Sequence, residues 1–368
     1  MKIPQIAIFI SIIFGILLLA HFVVYEAAFL VFPVFAGKFL IYLRIAVVAL
    51  PAIFIGSIAI SFQFNNFFIR TLYKLMAVWI GLVLYLFLAG VVLGFASFIF
   101  ANLQTQGEIL FGLAILIAAY GVIHSQIIKI VKVKISLRNL PDAWNNRLIV
   151  FVSDLHLGHV RGQRFAERVA NRINELNPEI VLIGGDLYDG VKVDNAKIIK
   201  PLKKLSAPKG VYFVTGNHDG FSVKATEEDV ATIAKSGIKV LQNELIKING
   251  VQLIGVDYKQ TADPKRYKEV LDRMKIDPNS PSILIKHVPD NVDIASGAGI
   301  SLQISGHTHR AQMWPLRFIP RLIYKGFDYG LKRSGLMQVF ISSGVGTWGP
   351  PLRVGTNSEI VLITLNKA

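Results

Sequence analysis

Four long apolar stretches fill most of the first 127 residues, at 6–25, 39–62, 72–100 and 109–127. Each is close to or above the ~20 residues that a helix needs to cross a ~30 Å hydrocarbon layer. Helices that pack into a soluble core keep a polar face, and these stretches have none. A cleavable leader accounts for the first only, and no small-residue cleavage site follows it. The expectation is an N-terminal α-helical transmembrane bundle of about four helices over residues 1–127. The third stretch is long enough to kink at Gly90 and Gly94.

Charge separates the two halves of the chain. Charged residues make up 17% of the whole, below the roughly 25% of ordinary globular chains. Residues 1–138 hold two acids, Glu26 and Glu108, and nine bases. Lys2, Arg70, Lys74, Lys129, Lys132, Lys134 and Arg138 fall on the side of the N-terminus, whereas only Lys38 and Arg44 fall on the other. Basic loops stay in the cytoplasm, so both ends and the whole second half are expected there, on a multi-pass inner (cytoplasmic) membrane protein. His21 and Glu26 lie near the end of the first stretch and read as interfacial groups. Residues 128–140 read as a basic juxtamembrane connector able to hold anionic head groups. The chain has no cysteine, which excludes a disulfide framework and a thiolate metal site and suits a reducing compartment.

From residue 141 to 368 the pattern becomes α/β. Short β-rich runs stand at 148–153, 180–184, 211–215, 251–256, 282–286, 302–305, 338–342 and 360–365. Helical periodicity follows several of them, at 162–176, 194–205, 226–236 and 266–274, with Thr226 and Asp229 as a helix start. Active sites in such sheets sit in loops beyond the carboxyl ends of the strands. Ser153-Asp154-Leu155-His156, Gly184-Gly185-Asp186-Leu187-Tyr188-Asp189 and Gly216-Asn217-His218-Asp219 all stand there, as do His287 and Gly306-His307-Thr308-His309. Five of the eight histidines therefore end four predicted strands. Any one of these motifs is compatible with a plain turn; together they point to a metal site. Carboxylate and imidazole ligands without sulfur suit Mn²⁺, Fe or Zn²⁺.

The blocks SDLH, GGDLYD, GNHD, KHVPD and GHTH, spanning 153–309, resemble the calcineurin-like metallophosphoesterases. The closing Ser343-Gly344-Val345-Gly346, Leu352-Arg353 and Glu359-Ile360 look like the small bacterial membrane-associated phosphodiesterases of the YkuE and YaeI type. The resemblance implies an α/β metallophosphoesterase domain, a four-layer α-β-β-α sandwich, holding two divalent metal ions, manganese before iron or zinc. By similarity Asp154, His156, Asp186 and His309 hold one ion. Asp186, Asn217, His287 and His307 hold the other, with Asp186 bridging. Two such cations clamp a water whose hydroxide attacks phosphorus. His218 is then the group that faces the leaving oxygen, oriented by Asp219. Asp189 either supports a ligand or simply makes a turn. His159 and Arg161 either touch substrate phosphate or belong to a solvated loop. No ligand position is vacated, which argues against a scaffold that has lost its metals.

Residues 310–333 interleave apolar Met313, Trp314, Leu316, Phe318, Ile319, Leu322, Ile323 and Tyr324 with Arg310, Arg317, Arg321, Lys325, Lys332 and Arg333. Pro315 and Pro320 argue against one long helix. The segment is either a partly buried loop with a basic rim or a lip beside the site. Such a lip would dip apolar groups into the bilayer and pair Arg310, Arg317 and Arg321 with lipid phosphates. Charge and aromatics also allow a nucleic-acid groove, but a membrane anchor is an odd place for one, and no nucleic-acid partner is expected. The favoured reading is hydrolysis of a phosphodiester or pyrophosphate in a membrane lipid. The alternatives are the same chemistry on a soluble phosphoester or nucleotide, and a non-catalytic membrane sensor.

Overall fold

The computed structural model describes residues 3–32, 38–219 and 223–368. Lys2 lies outside the described residues, as do the side chains of Lys38 and Thr226. The chain forms two units, Met1–His124 with Gly349–Val354, and Ser125–Trp348 with Gly355–Ala368.

The first unit holds four helices, α1 (Ile3–Val31), α2 (Lys38–Ser61), α3 (Phe67–Ala96) and α4 (Gln104–His124). All four contain spans long and apolar enough to cross a membrane. No break occurs in α3 at Gly90 or Gly94. Small residues let the helices approach closely: a Cβ on Gly107 of α4 would stand 2.1 Å from Val31 Cγ2. The interfacial reading of His21 does not hold. Because α1 runs on to Val31, His21 lies well inside the helix and is buried. Its Nδ1 faces Leu17 O at 2.8 Å, and its Nε2 accepts from Trp79 Nε1 of α3 at 3.0 Å. It is a polar tie between two helices.

The second unit is built on two six-stranded sheets. Its strands are β1 (Ile128–Leu137), β2 (Leu148–Val152), β3 (Ile180–Ile183), β4 (Val211–Phe213), β5 (Lys239–Val240), β6 (Glu244–Ile248), β7 (Val251–Gly255), β8 (Ser282–Ile285), β9 (Leu302–Ser305), β10 (Gly330–Ser334), β11 (Met337–Ile341) and β12 (Ser358–Lys367). The helices are α5 (Gln163–Asn174), α6 (Asn195–Ile199), α7 (Val223–Ala234), α8 (Tyr258–Thr261), α9 (Pro264–Arg273), α10 (Val292–Gly297) and α11 (Phe318–Ile323). The first sheet runs β1-β12-β2-β3-β4-β5 and the second β10-β11-β9-β8-β7-β6.

Alternation along the strands explains the layers. Ile149 and Phe151 of β2 turn inward and meet Ile283 and Ile285 of β8 in the core between the sheets. Their neighbours Val150 and Val152 turn outward beneath α5 and α7, with Phe165, Val169 and Ile233. On the far side Leu284 of β8 packs under Tyr267 and Leu271 of α9 and Ala295 of α10. The result is the expected four-layer α-β-β-α sandwich.

Two expectations change. The segment 128–140 is no free connector, because residues 128–137 form β1, paired in parallel with β12 at the edge of the first sheet. Its lysines Lys129, Lys132 and Lys134 are exposed, as is Ser136, and an edge strand lined with lysine resists pairing with another chain. The helix expected from Thr226 begins earlier, at Val223.

Candidate metal centre

Five strands deliver the site: β2, β3 and β4, parallel in the first sheet, and β8 and β9, parallel in the second, each run out just before residues of the cluster. The backbone turns sharply at the chemistry-bearing residues. Asp154, His156, Asp186, His307 and His309 all have positive φ, at 55°, 46°, 50°, 71° and 46°. Non-glycine residues in this region are uncommon, and each costs about 1–3 kcal/mol that the surrounding structure must offset. The loops are held by direct ties. His307 N donates to Asp154 Oδ1 at 3.0 Å, His218 N to Asp186 Oδ1 at 2.8 Å, and Gly346 N to Asp154 O at 2.9 Å.

The side chains converge. The donor atoms of Asp154, His156 and His309 all lie within 4.8 Å of one another, as do those of Asp186, His287 and His307, and a third set, His156, Asp189 and His218, overlaps the first. Asp186 stands between the first two groups, with Oδ2 3.1 Å from His287 Nε2 and 3.6 Å from His156 Nε2. Donors around one cation at about 2.1 Å stand roughly 3–4 Å apart, so both groups fit a metal ion. Hydrogen bonding tells the same story. His287 Nδ1 faces the carbonyl of Gly184 at 2.7 Å, which leaves Nε2 facing Asn217 Oδ1 at 3.0 Å and the Asp186 carboxylate. Three electron-rich atoms meet there, an arrangement that calls for a positive charge among them. All seven residues expected as ligands are thus brought together.

The electrostatics follow from that crowding. Burial pushes the Asp154 carboxyl up. Burial also opposes ionisation of Asp186, yet the charge and hydrogen bond of His287 outweigh it and hold Asp186 well below the usual carboxylate range. His287 is raised to about 9, because Asp186 more than offsets its burial. His307 is lowered to about 3 by burial and by the charge of His287. Burial also lowers His218.

Other expected residues take distinct positions. Asp189 Oδ1 lies 3.3 Å from His156 Nδ1, so it orients a ligand. Asp219 has a different task from the one expected. Its carboxylate accepts from the backbone N–H groups of Asp186, Leu187, Tyr188 and Gly216, at 2.7, 2.9, 3.2 and 2.8 Å. It fastens the β3 loop to the β4 loop, and burial followed by the Asp186 charge pushes it up to about 7. Arg161 is buried and turned away from the metal groups. Its guanidinium donates to Ser125 O, Gln126 Oε1 and Thr347 Oγ1, at 2.9, 2.7 and 3.4 Å. A structural clamp therefore replaces the expected phosphate contact. His159 is buried, not solvated.

Three residues were not singled out from the sequence. Trp348, half exposed, lies 5.6 Å from the His218 ring. Gln312 holds it there, accepting from Trp348 N and donating to Trp348 O, both at 2.8 Å. Tyr258 stands 6.5 Å from His287. Trp348 and Gln312 come from turns and Tyr258 from the start of α8, none with a repeating signature, so only the folded chain shows them beside the cluster. The lip residue Tyr324 stands edge-on to His307 at 5.8 Å.

The family model for calcineurin-like phosphoesterases matches residues 147–311. A transmembrane protein with metallophosphoesterase domain from Danio rerio is 32% identical over 267 residues, 68% of this chain and 61% of its own length. The chain thus spans less than two thirds of that relative. An uncharacterized metallophosphoesterase of Campylobacter jejuni is 27% identical over 323 residues, 84% of this chain and 86% of its own. YkuE of Bacillus subtilis, also an uncharacterized metallophosphoesterase, is 28% identical over 238 residues, 61% of this chain and 81% of its own. Residues 147–311 of this chain form a calcineurin-like phosphoesterase domain.

Proposed function

We propose that this chain is a membrane-anchored two-metal phosphoesterase that hydrolyses a phosphodiester or pyrophosphate bond in a membrane lipid. Asp154, His156, Asp186 and His309 would hold one divalent ion, and Asp186, Asn217, His287 and His307 the second, manganese being the first choice. When bound, such ions supply Lewis acidity and a water that is acidic near neutral pH. His218, kept neutral by burial, retains an N–H to offer the leaving oxygen. Asp189 fixes the ring of His156, and Asp219 sets the spacing of the loops that carry Asp186 and Asn217. The excess of bases on the side of the N-terminus supports a domain that faces the cytoplasm.

The observation that carries the lipid substrate is the lip. Tyr324, which ends α11, packs against the ligand His307, while Phe318, Ile319, Leu322 and Ile323 of that short helix are 51%, 51%, 80% and 64% exposed. An apolar helix surface open to solvent beside a polar site suits an amphiphile. Full-length protein with Mn²⁺ should cleave a lipid pyrophosphate or phospholipid faster than soluble nucleotides. Equal or faster turnover of the nucleotides would leave the membrane half as a locator only.

A further inference from the structure

Beside the metal centre lies a small, strongly basic pocket that the hydrolytic residues do not use. Arg310, Arg317, Phe318, Arg321 and Asp328 line a cavity of about 200 Å³, several times the roughly 30 Å³ share of one water molecule. Three guanidiniums face one carboxylate, a local charge near +2. Among the described residues, no ion pair engages any of the three arginines. Arg310 stacks on the ring of Tyr329 at 4.4 Å, and Arg317 on Phe318 at 5.3 Å. A guanidinium held over an aromatic ring still has N–H groups to offer an anion.

The pocket is tied to the site by the chain itself. Arg310 directly follows the ligand His309. The carbonyl of Asp328 accepts from Thr308 Oγ1 at 2.7 Å, and Thr308 sits between His307 and His309. Residues 309–312 all have positive φ, at 46°, 50°, 57° and 55°, so the turn that aims His309 at the metals also sets where Arg310 stands. Arg317 and Arg321 flank or lie on α11, the helix whose apolar residues are exposed.

We propose that this pocket is a second phosphate site, separate from the metal centre, that takes a doubly charged phosphate group in the headgroup of a membrane lipid. Its charge matches a phosphomonoester dianion, and guanidiniums bind such groups through paired N–H···O bonds. Lipid is favoured over free phosphate because exposed Phe318 lines the pocket, on the helix α11 whose Leu322 is also exposed, in a chain that carries four candidate membrane spans. This source rests on the lipid reading of the lip, but the binding does not rest on turnover.

The test uses the full-length chain in neutral detergent with EDTA, titrated calorimetrically with dihexanoyl phosphatidic acid, inorganic phosphate and dihexanoyl phosphatidylcholine. Phosphatidic acid should bind saturably, and phosphate and phosphatidylcholine at least about tenfold more weakly. Arg317→Gln with Arg321→Gln should weaken phosphatidic acid about tenfold or more. The exposed Arg321→Gln alone should give part of that loss, and Asp186→Ala should bind as wild type. Glutamine variants that bind unchanged would overturn the site. Phosphate binding as tightly as phosphatidic acid would overturn the lipid source, as would phosphatidylcholine binding equally well. Hydrolysis is not read in this titration, so a failed enzyme reading and a failed pocket give different results.

Discussion

The Nε2 atoms of His156 and His309 stand 3.0 Å apart. Asp189 faces Nδ1 of His156, which places the proton of that ring on the far side and leaves a lone pair pointing at His309. Two imidazoles meet in this way around a shared cation or proton. The same holds at His287, whose Nε2 meets both Asn217 and Asp186. Several predictions of different kinds rest on these contacts.

Asp186 lies between the two groups of ligands. Asp186→Ala should remove at least one metal per chain and reduce turnover to background. Metal analysis by mass spectrometry and a generic phosphodiester assay read both effects. Two metals retained in the variant would exclude the bridging role.

The His218 ring stands edge-on to His156 at 5.0 Å and lies against Trp348 at 5.6 Å. His218→Ala should leave metal content unchanged and lower kcat by about 10²–10⁴-fold. Loss of metal would place this ring among the ligands.

Asp219 accepts four backbone N–H groups. In Asp219→Asn an amide NH₂ must face some of these donors, and the charge that strengthens the bonds is gone. Unfolding of the variant should require about 2–4 kcal/mol less than that of wild type, measured by thermal or denaturant melting in detergent. An unchanged melting point would show that the loops are held by other ties.

Gly216 passes closely beneath the Asp186 carboxylate. A Cβ here would stand 2.2 Å from Asp186 Oδ1 and 2.5 Å from its backbone N. Gly216→Ala should therefore displace Asp186 and weaken metal binding about 10–100-fold, read by titration with Mn²⁺. Wild-type affinity would show that the loop yields freely.

Protons and metal compete at His287. Its metal-free pKa is raised from the ordinary 6.5 to about 9, so below pH 9 a proton must leave before the ring can serve as a ligand. Affinity for Mn²⁺ should rise by up to about tenfold per pH unit between pH 7 and 9 and then level off. Calorimetry in buffers of different ionisation enthalpy should show proton release at pH 7.5. A flat profile would mean that His287 is already neutral.

Much of this site was legible in the sequence because its ligands follow strand ends. Once β2, β3, β8 and β9 are recognised as apolar runs, Asp154, Asp186, His287 and His307 fall at neighbouring loops, and parallel pairing within each sheet sets those loops side by side. The signal fails where the residue carries no repeating motif. Trp348 and Gln312 reach the site from turns, and Tyr258 from the start of α8, and no short motif marks any of the three. Arg161 shows the opposite failure. Its place just after SDLH suggested a phosphate contact, but its partners Ser125, Gln126 and Thr347 are far away in sequence. The strand β1 was read as connector because its lysines dominate the composition. Its alternation of apolar and basic residues was present all along.

The pairing of β12 with both β1 and β2 has a consequence for biosynthesis. The first sheet lacks its second strand until residues 358–367 have left the ribosome. By then the four apolar helices have long been available for membrane insertion. While translation continues, β1 and β2 have no partner between them, and two strand edges stay unpaired. Long-range pairing of this kind is slow and open to aggregation while it waits. A chain stalled or nicked shortly before Ser358 would keep all seven candidate ligands and still lack the strand that joins β1 to the sheet that carries four of them.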